Sequence, residues 1–286
     1  MFLLALAAAL LASVLFNIGI ALQALEARRA PRSLGLRLSL VGRLLRRPRW
    51  LLGQVLGTVG VGPQVYAFAH APFVAVQPLL AVGLLVLLAL GAHALGEEVG
   101  VPEIIGVVAI IAGVTLVAWG APQHSETHRG GLAVIGVASL LTVAAFAPFL
   151  LKKTRWDAAL VTIVASGCGF AGTNVATKLM SDDINRGHYL QVGLWAALGL
   201  LLGLAATVTG MSAFQRRTAT VVVPVSTAVQ TFLPILLEPL FLHERWGSVD
   251  YGGAPIAVGL LVACAGTILL ARARAVADLA AGAQGQ

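Results

Sequence analysis

The sequence predicts an all-α polytopic membrane protein of about nine transmembrane helices in an inverted-topology repeat: four helices, one linking helix, then four more. Three observations carry this. Apolar runs near twenty residues long follow one another, with 58% of residues hydrophobic and 11% charged, whereas soluble domains carry roughly a quarter charged residues. Basic residues gather in alternate loops. A displacement of 146 residues brings matching residues into register without a gap.

The first span, 2–25, begins M-F-L-L-A-L-A-A-A-L-L with no basic residue before it. It lacks the positive start of a cleavable signal and is expected to be retained as a helix. The stretch 33–50, S-L-G-L-R-L-S-L-V-G-R-L-L-R-R-P-R-W, is apolar, but Arg37 and Arg43 interrupt it and it is too short to span. It reads either as an interfacial segment or as a solvated loop that sets topology. The second span, 50–70, is rich in glycine and holds Pro63; the third and fourth follow at 73–96 and 103–120. A fifth at 130–151 links the halves, and four more lie at 157–179, 188–211, 218–242 and 252–271. The eighth contains Pro224, Pro234 and Pro239, each of which frees a backbone carbonyl. The tail 272–286 carries no motif.

The basic residues orient these spans. With nine spans, fifteen of the nineteen Lys and Arg fall on one side: eight Arg from Arg28 to Arg49, then Lys152, Lys153, Arg155, Arg216, Arg217, Arg272 and Arg274. Arg129, Arg186 and Arg245 fall on the other, and Lys178 sits near a helix end. An even count would scramble the later loops. The bias puts the N-terminus outside and the C-terminus in the cytoplasm, in the inner membrane of a bacterium. It also accounts for the net charge of +7 without nucleic acid as a partner, leaving membrane lipids and a transported ion or small molecule. Cys168 and Cys264 lie inside apolar runs without metal-ligand spacing and read as packing residues.

The displacement of 146 aligns Ala67-Phe68 with Ala213-Phe214, Pro78 with Pro224, Glu98 with Glu244, Gly106 with Gly252 and Gly113 with Gly259. It pairs spans two to four with seven to nine, and because it crosses five spans the copies are inverted. The first span echoes the sixth more faintly, F-N-I-G-I-A-L-Q-A-L-E (16–26) against F-A-G-T-N-V-A-T-K-L-M (170–180). The expected division is a first repeat at 1–120 with a basic segment at 26–49, a linking helix at 121–156, a second repeat at 157–271 and a cytoplasmic tail at 272–286.

The stretch W-L-L-G-Q-V-L-G-T-V-G-V-G-P-Q-V-Y-A-F-A-H-A-P-F-V-A-V-Q-P-L-L-A-V-G-L-L (50–85), then L-G-E-E (95–98), Gly106 and the A-P after the fourth span, resembles the NIPA-type magnesium transporters of the drug/metabolite transporter superfamily. So do Gly172 and Lys178, S-A-F-Q-R-R-T-A-T-V-V-V-P-V-S-T (212–227) and F-L-H-E-R-W (241–246). The resemblance covers most of 1–271 and implies transport, with magnesium as a candidate cargo. It departs where the family's Lys-rich end of the first helix is replaced by Gln23, Leu25 and Glu26, and at Glu238. Relatives of the same architecture export organic solutes, so both cargo classes stay open.

Polar side chains inside apolar spans must line a cavity or bond another helix. The candidates for substrate binding are Asn17 and Gln23 on the first span, Gln64 and Tyr66 on the second, and Gln77 on the third. Asn174 and Lys178 on the sixth and Gln230 and Glu238 on the eighth complete the set. Gln230, Pro234 and Glu238 are spaced four apart and share a helix face. Glu238 is the candidate acid for a metal ion, since Mg²⁺ prefers carboxylate and neutral oxygen ligands. Interhelical bonding by Gln230, and snorkelling by Lys178, explain the same residues. Glu98 and Glu244 at span ends read as caps or loop contacts, and His70 and His93 as interfacial residues.

No nucleophile elbow, H-E-x-x-H, phosphate loop or paired intramembrane carboxylates occur, so neither an enzyme nor a cofactor is expected. Three functions remain: alternating-access transport of Mg²⁺ or another divalent cation, export of a small polar organic metabolite or drug, and a non-transporting interaction partner. For the last, the stripe G-x-x-A-x-x-x-G at 106–113 and its counterpart through Gly259 and Gly266 suit a homodimer through the fourth and ninth spans as well as internal packing.

Overall fold

The computed structural model describes residues 2–71, 73–120, 131–150, 158–185, 187–241 and 253–284, and the described backbone is almost wholly helical, without a strand. The helices are α1 (Phe2–Arg29), α2 (Leu38–Leu44), α3 (Pro48–His70), α4 (Phe73–Ala94), α5 (Val101–Gly120), α6 (Gly131–Leu150), α7 (Ala158–Asn185), α8 (Tyr189–Phe214), α9 (Ala219–Phe241) and α10 (Ala254–Gln284). Nine correspond to the expected spans; the tenth, α2, falls in the apolar stretch that sequence left between interfacial segment and loop.

The bilayer sets span length. Among the described residues, Phe2–Arg29, Val101–Gly120, Ala159–Thr177 and Tyr189–Phe214 are long and apolar enough to cross, and Pro78–Ala94, Ile135–Leu150, Ala219–Pro234 and Ala254–Leu270 are shorter apolar helices. The 23 residues of α3 reach about 35 Å, also sufficient for a hydrocarbon core of about 30 Å. Large apolar side chains stand uncovered around the bundle, among them Leu3, Leu200 and Leu261 at 71–81% exposure with Leu190. Patches of that kind belong against lipid.

Two ends differ most from expectation. Helix α7 runs to Asn185 rather than 179, and α10 continues through the expected tail to Gln284. The extension reads A-R-A-R-A-V-A-D-L-A-A-G-A-Q, and alanine and arginine are strong helix formers. At 31 residues α10 is about 46 Å long, so it outreaches the bilayer.

The packing repeats. In the first half α1 lies against α3 and α4, and α4 against α5; in the second α7 lies against α8 and α9, and α9 against α10. Helix α6, which has no counterpart, packs on α7, α8 and α9. The halves meet along α4 with α9 and, most extensively, α5 with α10. There a Cβ on Gly113 would stand 2.6 Å from the Gly259 carbonyl oxygen, and one on Gly259 2.7 Å from that of Gly113. These residues are 146 apart and face each other reciprocally, with Gly106 on Gly266 and Gly120 on Ile256 above and below, so α5 and α10 run antiparallel. The small-residue stripes are therefore used against each other inside the chain.

Candidate functional site

Helices α1 and α4 meet through small and polar groups. Ser13 Oγ donates to the Leu80 carbonyl at 2.8 Å, and Asn17 Nδ2 donates to the Ser13 carbonyl at 2.8 Å. Both side chains are buried, and a Cβ at Gly83 would collide with each of them. Asn17 Oδ1 has no hydrogen-bond partner. A buried acceptor left so costs roughly 1–3 kcal/mol, so the joint holds a neutral oxygen ready to accept a bond from something else. In the second half the bulk is exchanged: Gly167 of α7 takes the place of the polar pair and packs against Val229 of α9.

A second polar cluster closes one end of the bundle. Helix α4 stops after Ala94, and Gly96, at φ 62°, turns the chain so that the Glu97 amide donates to the Gly91 carbonyl at 2.8 Å. The Glu97 carboxylate then points inward, only 1% exposed, and pairs with Arg28 at the end of α1. It also accepts from the backbone amides of Ala219 at 2.7 Å and Thr220 at 3.0 Å, the first residues of α9. These amides are orphan donors at a positive helix end, which favours an anion. Burial pushes this carboxyl up, but the Thr220 hydroxyl and amide, Arg28 and the Ala219 amide outweigh it and hold it below its ordinary 4.5. One residue thus ties α1, α4 and α9 together across the two halves.

Around it the chain is stapled further. Gln215 Nε2, at the end of α8, donates to the carbonyls of Ala30 and Pro31 at 3.2 and 3.3 Å, and the Leu36 amide donates to Ser212 Oγ at 2.8 Å. Glu26, buried, accepts from Arg29 at 3.0 Å. A capping contact at the start of α5 comes from Glu103, whose Oε2 accepts from the Gly100 amide at 2.9 Å; Glu98 is exposed.

The other sequence candidates are dispersed. Gln23 donates to Gln54 Oε1 at 2.9 Å across the α1–α3 contact. Gln64 and Gln230 are half-buried, and Asn174 is exposed on α7. Tyr66 is half-buried and stacks on His70 with ring centroids 4.2 Å apart; His70 and His93 are both exposed. The side chains of Gln77, Lys178 and Glu238, and all of Glu244 and Gly252, lie outside the described residues. Sequence reading named Asn17 but missed Ser13, Gly83, Arg28 and Glu97. The available signal was L-G-E-E itself, where two adjacent carboxylates cannot both serve the same face.

An uncharacterised protein of Corynebacterium glutamicum is 26% identical over 254 residues, covering 86% of this chain and 87% of that one. No solved structure matches. The family profile described as Magnesium transporter NIPA matches residues 1–154, which is more than half of the 286 and includes α1 to α6. The chain therefore belongs to the NIPA magnesium transporter family, a class of membrane transporters and not of enzymes.

Proposed function

We propose that the protein moves Mg²⁺, or a divalent cation like it, across the membrane by alternating access, with much of the ion's water shell retained. The observation that carries this reading is the unpartnered, buried Asn17 Oδ1 between α1 and α4. Mg²⁺ gives up water reluctantly, and no group of three or more His, Cys, Asp or Glu placed to replace that water occurs among the described residues. A neutral oxygen accepting from the ion's waters suits such a lining, with Gln64, Gln77, Asn174 and Gln230 as further neutral candidates and Glu238 as the acid. Polar solutes with N–H or O–H groups fit the same oxygen, which makes organic export the second reading.

The moving bodies in this mechanism are the halves 1–120 and 157–271, joined through 121–156. Glu97 is the latch. With it seated on α9, the path is closed at the end that the basic loops assign to the cytoplasm. Opening that end takes the carboxylate from two backbone amides and Arg28, charge-assisted bonds of about 1.5–3 kcal/mol each, which the arriving solute or its gradient must offset. No nucleotide-binding motif supplies the energy otherwise.

Liposomes holding a Mg²⁺-sensitive dye test this. Wild-type protein is expected to give saturable Mg²⁺ entry and Asn17→Leu about tenfold less, the loss of roughly one hydrogen bond's worth of recognition, with unchanged folded yield. Uptake of labelled amino acids or sugars without Mg²⁺ entry would establish the organic reading instead. If neither class moves, transport by this path is wrong.

A further inference from the structure

Helix α2 is only two turns long, yet it is firmly seated. Leu40 and Leu44, four residues apart, are 0% and 1% exposed, and Trp50 just beyond is 2% exposed with its Nε1 donating to Met211 Sδ at 3.5 Å. The bond from the Leu36 amide to Ser212 fixes the other side. What α2 turns outward is of a different kind. Leu38 and Leu45 are 65% and 52% exposed, and Arg37, Arg43, Arg46, Arg47 and Arg49 are exposed beside them.

On the same segment lies an open recess of about 590 Å³ walled by Leu34, Ser39, Gly42, Arg43, Arg46 and Arg47, with Leu38 and Leu45 adjacent in the chain to wall residues. Its wall contains no carboxylate, and among the described residues no acid pairs with Arg43, Arg46 or Arg47. The space extends over Gly42, where a Cβ would meet no atom within 4 Å. Three unneutralised guanidinium groups around one hollow repel each other unless an anion sits between them, and their planar forks match phosphate oxygens. The exposed leucines say which anion. A free phosphate would leave Leu38 and Leu45 in water, whereas a phospholipid brings acyl chains to cover them.

We propose that this recess binds the phosphate of an anionic phospholipid in the leaflet that the α2 face meets, so that lipid is a built-in ligand of the α1–α3 connection. Binding there would stiffen the segment stapled to the end of α8, next to Arg28 and the Glu97 latch. The proposal stands independently of which solute is transported.

The test is thermal unfolding and native mass spectrometry of the full chain in lipid nanodiscs. Adding phosphatidylglycerol to phosphatidylcholine discs should raise the melting temperature of wild type and retain bound phosphatidylglycerol after release from the disc. The R43Q/R46Q/R47Q variant should lose the shift and at least about tenfold of the retained lipid, while a control of equal charge loss, K152Q/K153Q/R155Q, keeps both. Should the triple variant fail to fold, Gly42→Glu adds an acid to the wall of the recess at a position where a Cβ meets no atom within 4 Å, and should show the same loss. Equal lipid shifts in recess variants and control would overturn the proposal by showing a general charge effect. So would a shift produced by millimolar inorganic phosphate in phosphatidylcholine discs, which would make the ligand a free anion.

Discussion

The Glu97 side chain joins three helices, through Arg28 of α1 and the Ala219 and Thr220 amides of α9. Its partners stand 69, 122 and 123 residues away, so no local pattern announces them. The internal repeat concealed it as well: a displacement of 146 carries Glu98 onto Glu244 but Glu97 onto His243, and a search for symmetry keeps the first and passes over the second. Removing one partner from a buried ion pair costs about 3–5 kcal/mol, so Glu97→Ala should lower the melting temperature well below that of Glu97→Gln, which keeps an acceptor for the α9 amides. Because its folded value lies below 4.5, the latch contributes stability throughout neutral and mildly acid pH and loses it only as pH falls through that depressed value. Thermal melts from pH 7 down to pH 3 should therefore show wild type losing more stability below about 4.5 than Glu97→Gln does. Asn17 was legible in advance, since an amide within an apolar run must be explained; its unpaired oxygen was not, since that depends on what α4 places opposite.

At the scale of helices, the two halves solve one joint in opposite ways. In the first, Ser13 and Asn17 of α1 fill the space over Gly83 of α4; in the second, Val229 of α9 fills the space over Gly167 of α7. Gly83→Val should collide with both polar side chains and destabilise by about 1–3 kcal/mol or more. The combination Ser13→Gly, Asn17→Ala, Gly83→Val copies the second half and should recover much of the folded yield in detergent gel filtration, though not transport. The α5–α10 seam is less forgiving. Gly113→Leu drives a side chain into the Gly259 backbone, which cannot retreat as a side chain can, and the monodisperse protein should be largely lost. The glycine periodicity was readable from sequence, and it left two equal uses, a neighbouring copy or the chain itself. Only the fold shows the stripes of α5 and α10 occupying each other.

For the molecule as a whole, alternating access predicts that the Glu97 latch decides which side reaches Asn17. With Cys168 and Cys264 replaced, Asn17→Cys should resist a membrane-impermeant thiol reagent applied from the cytoplasmic side, and a further Glu97→Ala change should make it react severalfold faster from that side alone. A rate unaffected by Glu97 would remove the latch from the mechanism. Cysteines placed at Gly42 and near Gln284 should label from that same side if the basic residues set the topology.

Hydrophobic run length and basic-residue placement are one-dimensional quantities, and the bilayer reads them directly: they determined the helical class and where the apolar helices fall, while the register of 146 residues raised the expectation of an inverted repeat. Family resemblance was legible for a similar reason, in contiguous motifs such as G-P-Q-V-Y-A and L-G-E-E. Helix ends strayed where the membrane stops acting, as in α10, whose alanine-rich continuation remains helical beyond the span. What tertiary structure alone decided is how polar groups are satisfied. Inside a lipid-facing bundle each amide and carboxylate depends on the one partner that packing brings to it. Glu97 found the N-terminus of α9, whereas one oxygen of Asn17 found nothing.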